Sequence, residues 1–173
     1  TERVQRVKVG DPLDETTDLG PMVDEKAVQR TDGWVTDALR DGARALVRGE
    51  PDGRWFGPTV LVDVPKDAMI CSEEAFAPVV NLFPVDSFAD ALSSINDSRF
   101  GLQCGVFTSS LDHTLLAHDE LEVGGVIVND IPTYRIDHMP YGGVKDSGLG
   151  REGLRWAIED MTEIRIMVLA QPG

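Results

Sequence analysis

Apolar runs and helix-patterned segments take turns along the second half of the chain, and that alternation constrains its fold more than any other feature. "APVVNLFPV" (77–85) is a short apolar run bounded by prolines, which reads as a buried strand. Ser87 can then cap a helix over "FADALSSIND", where Phe88, Ala91, Leu92 and Ile95 recur at helical spacing. "LQCGVFT" (102–108) is a second strand, and Ser109 or Ser110 caps the next helix, with Leu111, Leu115 and Leu116 expected to face inward. "GGVIVND" (124–130) is a strand that ends on polar residues. A helix follows Gly150 over "REGLRWAIEDM", and "TEIRIMVL" (162–169) reads as a final strand of strong β preference. Strands alternating with helices of this length imply βαβ units. The expected class is therefore α/β, with a parallel or mixed sheet and flanking helices. In such sheets chemistry gathers at the carboxyl ends of the strands. That points to Asn129 and Asp130 with the loop after them, and to the segment leading into Pro78.

The first half is consistent with the same class. "GDPLDETTDLGP" (10–21) is turn-rich and acidic. A helix should start at an Asp24 cap, carry Val28, Val35 and Leu39 on its apolar face, and end near Gly42. "RALVRG" (44–49) and "FGPTVLVDV" (56–64) read as extended, separated by a turn at "EPDGRW". A length of 173 residues suggests one domain. The opening "TERVQRVKVGDP" begins in mid-pattern, as a domain cut from a longer chain would. The net charge of −14 disfavours a nucleic-acid partner, which needs clustered Lys and Arg. No apolar run approaches the length of a membrane span, and no secretory signal opens the chain, so no membrane partner is expected. Two cysteines make neither a disulfide framework nor a zinc spacing, so the expected compartment is the reducing cytoplasm and no metal is expected.

The pattern most likely to mislead is "GLGREG" (148–153), which spells G-x-G-x-x-G. A dinucleotide turn follows a buried strand and opens a crossover helix, with an acid about 20 residues later. Here "VKDS" precedes it, and the reading is a tight backbone turn in which glycine permits positive φ. Cys104 lies in an apolar strand pattern and reads as a small buried hydrophobe. Cys71, beside Glu73 and Glu74, reads as inert. His113 and His118 read as solvated helix residues.

Taken in order, "VGDPLDETTDLGPMV", "GPTVLVDV", "EEAFAPVV", "GLQCGVFT", "GGVIVND", "YGGVKDSGLGREG" and "TEIRIMVL" resemble the C-terminal part of the aldehyde dehydrogenase superfamily. The resemblance covers nearly the whole chain, and the ordered set is specific where each piece is weak. It implies a catalytic-domain portion over 1–161 and an oligomerisation strand and tail over 162–173, in a homo-oligomer. It also implies a parent that oxidises a small aldehyde with NAD or NADP through a cysteine thiohemiacetal. The nucleophile, the water-activating glutamate and the Rossmann domain would lie upstream, so no catalytic residue is assigned here and the chain alone is expected to be inactive. The family's Glu-x-Phe-Gly-Pro motif matches Glu74, Phe76 and Pro78, with Ala77 in place of glycine. By resemblance Glu74 accepts hydrogen bonds from the nicotinamide ribose, and Phe76 packs by the nicotinamide end. The loop "NDIPTYRIDHMPY" matches the substrate-entrance loop, which makes Asp130, Thr133, Tyr134, Arg135, His138 and Tyr141 candidate pocket residues. Arg135 and His138 point to a polar or anionic aldehyde, carrying a carboxylate, phosphate or sulfonate, unless Arg135 pairs with Asp137 or another surface acid. Lys145 and Arg151 are expected to be structural anchors. The alternative to an enzyme is a standalone binding or assembly module that pairs through the final strand.

Overall fold

The computed structural model describes residues 1–171 and 173. The chain divides into two compact units, Thr1–Pro84 and Val85–Gly173.

In the first unit a one-turn helix, α1 (Glu2–Gln5), precedes the acidic turn region, and the long helix α2 (Glu25–Arg40) follows. The Asp24 carboxylate caps α2 by accepting from the Ala27 N–H at 2.7 Å, and Glu25 adds a negative charge at the helix's positive end. The helix stops at Asp41, where Gly42 takes φ +112. Strands β1 (Arg44–Val47), β2 (Pro51–Asp52), β3 (Trp55–Phe56) and β4 (Thr59–Val62) come next, then the short helix α3 (Met69–Ser72) and β5 (Val79–Leu82). Strand β4 lies between the other two long ones, antiparallel to β1 and parallel to β5, and β2 and β3 form a small antiparallel hairpin. The sheet is thus mixed. Its core brings Val35 and Ala38 of α2 onto Leu61, Val64 and Ile70, and a second cluster joins Met22, Ala27, Val28 and Phe56. Leu39 packs at the edge of the first cluster, as its spacing predicts.

The second unit begins with α4 (Phe88–Asn96), capped by the Ser87 hydroxyl on the Asp90 N–H at 3.1 Å. It continues through β6 (Phe100–Gly101), β7 (Gln103–Val106), α5 (Leu111–Glu120) and β8 (Gly125–Val128). It closes with β9 (Val144–Lys145) and α6 (Leu154–Asp160). Strands β7 and β8 are parallel, with Cys104 opposite Val126 and Val106 opposite Val128, so β7–α5–β8 is the expected βαβ unit. Strands β6 and β9 pair antiparallel. Leu92, Val106, Ala117 and Leu121 form this unit's core. Phe88 stacks on His113 with ring centres 4.2 Å apart, which ties α4 to α5.

Three expectations about exposure and pairing fail. Ser110 is the cap of α5, but Leu111, Leu115 and Leu116 are exposed, and Ala117 is the buried residue of that helix. Periodicity groups residues on one face without saying which face is covered. Strand β5 is half-buried rather than buried, because it is the edge of its sheet and turns Val80 and Leu82 outward. No strand forms over 162–169: the segment lies outside any helix or strand, and Ile164, Ile166, Met167, Val168 and Leu169 are exposed. A strand needs a neighbour to complete its backbone hydrogen bonds, and among the described residues none pairs with this segment.

Candidate functional site

Two loops carry the predicted site residues, one in each unit. In the first unit the loop runs from Glu73 to Pro78, between α3 and β5. It is held from both sides. Arg30, on α2, donates from Nη2 to the Ala75 carbonyl at 3.1 Å, and the Thr59 N–H donates to the Pro78 carbonyl at 2.9 Å. Glu74 is exposed, and Phe76 is 79% exposed with φ +48. A left-handed backbone disfavours any residue with a Cβ. A bulky aromatic held there and turned to solvent is the sort of local strain that marks a presenting surface rather than a packed one. Phe76 is therefore not a core residue. Ala77, where the family motif has glycine, is accommodated: its methyl packs against the cluster of Met22, Ala27, Val28 and Phe56.

In the second unit Asn129 ends β8 with φ +60 and clips the strand ends together. Its N–H donates to Val106 at 2.8 Å, and its Oδ1 accepts from the Thr108 N–H at 2.9 Å. Asp130 accepts from the Ile131 N–H at 2.8 Å, and the Tyr134 N–H donates to Ile131 at 3.1 Å, so the loop opens as a tight turn. Asp130, Thr133, Tyr134, Arg135 and His138 are all exposed, and Tyr141 is half-buried. The acid that Arg135 pairs with is Glu152, from Nη2 to Oε2 at 2.8 Å, and its guanidinium lies 4.4 Å from the centre of the Tyr141 ring. The expected alternative, pairing of Arg135 with a surface acid, is therefore realised, through Glu152. Its distance along the chain hides it, and only the backbone bridge between Tyr141 and Glu152 brings the two segments together.

The glycine turn behaves as expected of a turn. Gly148 and Gly150 take φ +132 and +70, and they border a hollow of about 360 Å³ lined also by Leu102, Tyr141, Arg151, Glu152 and Asp160. Arg151 is an anchor, with Nη1 donating to the carbonyls of Gly143 at 2.8 Å and Gly150 at 2.7 Å. Lys145 is another: its Nζ reaches Asn96 O at 2.7 Å, Ser98 O at 3.0 Å and Glu122 Oε2 at 2.7 Å.

Both cysteines are free, and burial pushes both thiols above their ordinary pKa. At Cys71 the raising cause is burial, not the neighbouring acids, and the Lys66 charge opposes it. Neither is a poised thiolate. Among the described residues no group of three or more His, Cys, Asp or Glu side chains comes close enough to hold a metal, and no helix is long and apolar enough to cross a membrane.

With a mixed α/β fold, a presented Glu-x-Phe loop and an exposed Arg-bearing loop in view, comparison with known proteins gives the class. Residues 1–167 match the aldehyde dehydrogenase family, and the chain belongs to it. Among relatives, it is 47% identical over 168 residues to 3-sulfolactaldehyde dehydrogenase of Priestia aryabhattai, covering 97% of this chain and 35% of that one. Among solved structures, aldehyde dehydrogenase 21 of Physcomitrella patens, in complex with the reaction product succinate, superposes with a TM-score of 0.92 at 43% identity. That match covers 94% of this chain and 34% of the moss enzyme. Glyceraldehyde-3-phosphate dehydrogenase GapN of Methanocaldococcus jannaschii, complexed with NADP, gives 0.90 at 36% identity, over 95% and 36% of the two chains. The chain thus spans about a third of the length of the relatives it matches. These matches lend no support to a standalone assembly module.

Proposed function

We propose that this chain is the later part of the catalytic domain of an NAD(P)-dependent aldehyde dehydrogenase that oxidises an aldehyde bearing a second, anionic group. Residues 1–161 belong to that domain, and 162–173 form a segment that becomes a strand against another copy in a homo-oligomer. The observation that carries the substrate class is Arg135: a permanently charged fork, 45% exposed in its side chain, 4.4 Å from the Tyr141 ring centre in the loop after β8, whose single hydrogen bond to Glu152 leaves other N–H donors for an anion. Three relatives fit the same class, since 3-sulfolactaldehyde, succinate and glyceraldehyde-3-phosphate each carry an acid group away from the reacting carbon, while lactaldehyde dehydrogenase of Methanococcus aeolicus, 37% identical, is named for an aldehyde that has none. Asp130, Thr133, Tyr134, His138 and Tyr141 line the approach, with His138 a further donor for a polar substrate.

The 73–78 loop fits the nicotinamide end of the cofactor. Glu74 offers an exposed, acceptor-only carboxylate suited to paired ribose hydroxyls, and Phe76 offers a fixed, solvent-facing ring against which a flat group can be steadied. Held there by Glu74 and Phe76, NAD(P) would supply a hydride acceptor for the substrate carbon. Phe76 limits its swing, which matters because hydride transfer needs a near-attack geometry. The nucleophile and the water-activating base are not among the residues of this chain, which alone should make no NAD(P)H. The two free thiols fit a reducing cytoplasm as the working compartment.

The test compares Arg135→Gln with the full-length enzyme on succinic semialdehyde and on butanal. A charge-assisted contact is worth roughly 1.5–3 kcal/mol, so kcat/KM for the acid should fall by roughly ten- to a hundredfold. The value for butanal should barely change. Equal losses on both substrates would remove Arg135 from substrate recognition.

A further inference from the structure

Arg135 already holds a carboxylate. Glu152 Oε2 accepts from its Nη2 at 2.8 Å, and Glu152 is fixed at the root of the same loop: its N–H donates to the Tyr141 carbonyl at 2.6 Å, and its carbonyl accepts from the Tyr141 N–H at 3.0 Å. The contact is single, which leaves further guanidinium donors for another oxygen. It is also open to solvent, with the side chains 45% and 65% exposed. Tyr141 and Glu152 both line the hollow beside the glycine turn, and Asp160 is the other acid in its wall. An anion approaching Arg135 therefore meets a negative charge already in place. It must displace Glu152 or sit beside it against like-charge repulsion.

We infer that Glu152 sets the enzyme's selectivity among anionic aldehydes by competing with the substrate's acid group for Arg135. This rests on the reading of Arg135 as the anion-binding residue. The intramolecular acid holds one arm of the fork in the free protein and is replaced by ligands that offer two or three well-placed oxygens, which a fork grips bidentately. Weak or poorly placed anions fail to replace it. An exposed pair is a modest barrier, so removing the Glu152 charge should tighten anion binding by roughly two- to fivefold.

The experiment titrates the 173-residue chain with succinate, and with succinamide as the neutral control, while following by NMR the Tyr141 backbone N–H signal, which every variant retains. Glu152→Gln keeps the side-chain shape and leaves the backbone bridge to Tyr141 intact. The expected result is roughly two- to fivefold tighter succinate binding by Glu152→Gln than by the unaltered chain, no response to succinamide, and loss of binding in Arg135→Gln. Glu152→Ala must reproduce the tightening, which guards against an effect peculiar to the amide. If Arg135→Gln loses succinate but Glu152→Gln binds no tighter than the unaltered chain, the competition is overturned and the role of Arg135 stands. If Arg135→Gln binds as well as the unaltered chain, or if neither the unaltered chain nor Glu152→Gln binds succinate, both fall.

Discussion

Replacing Phe56 and Phe76 by alanine, one at a time, separates a packed ring from a presented one. A phenylalanine side chain has on the order of 200 Å² to bury, and each Å² removed from water contributes about 25 cal/mol. Phe56 is 1% exposed in the cluster with Met22, Ala27 and Val28. Nearly all of its area is covered, so its loss should cost about 5 kcal/mol by area, near the top of the roughly 3–5 kcal/mol range for core Phe→Ala changes. Phe76 is 79% exposed. Only about a fifth of its area is covered, roughly 40 Å², which is worth about 1 kcal/mol. The left-handed backbone at Phe76 disfavours alanine as it disfavours phenylalanine, so that contribution cancels. Trp34 and Trp55 lie in the same unit, and their fluorescence in a urea titration reads the unfolding of both variants. A loss for Phe76→Ala equal to that for Phe56→Ala would make the ring structural and remove the basis of its cofactor role. With the fold intact, the same change in the full-length enzyme is expected to lower kcat more than cofactor affinity, as loss of positioning should.

Three shorter predictions concern other parts of the chain. Asp24→Ala removes the carboxylate that caps α2 and should cost about 1 kcal/mol in the same urea titration, whereas Asp24→Asn should cost little. The raised thiol pKa values leave less thiolate at a given pH, so iodoacetamide at about pH 8 should label the folded chain more slowly than the urea-unfolded one. By the same sign the two thiols favour the folded state below the ordinary thiol value, and that contribution is lost as pH rises through the raised values; equal labelling rates would contradict it. Deleting residues 162–173 should abolish concentration-dependent association of the chain, measured by light scattering. An unchanged mass would leave the exposed Ile164, Ile166 and Leu169 without a role in assembly.

Local signals were the legible part of the fold. The Asp24 and Ser87 caps, the βαβ order of β7, α5 and β8, and the positive-φ glycines of the "GLGREG" turn all follow from neighbours in sequence. What stayed hidden depends on which surface is covered. The leucines of α5 keep helical spacing yet point to solvent, while Ala117, unremarkable in sequence, is fully buried. The preference of 162–169 for extended backbone is real, but a preference does not supply a neighbour. In the candidate site the strand end at Asn129 and the exposed loop after it could be read off directly. The Arg135–Glu152 pair could not, because the bridge that joins those segments is tertiary. Pairing of Arg135 with a surface acid was an open alternative from the sequence; that the acid is Glu152 and not Asp137 is what tertiary structure decides.

Lys145 carries a consequence for which changes the molecule can tolerate. An ammonium has three N–H bonds, and three acceptors meet it: the carbonyls of Asn96 and Ser98 at the end of α4, and the carboxylate of Glu122 just past α5. Two of these contacts are hydrogen bonds and the third is an ion pair. The planar guanidinium of arginine cannot aim in three divergent directions, so the usual like-for-like exchange of cations is closed at this position. A methyl group on the nitrogen would leave one of the three acceptors unmet, and an acetyl group, which leaves one N–H and no charge, would leave two. An ordinary surface lysine is among the most replaceable residues in a protein. This one, serving as the common knot of two helix ends and the strand that follows the entrance loop, should be among the least.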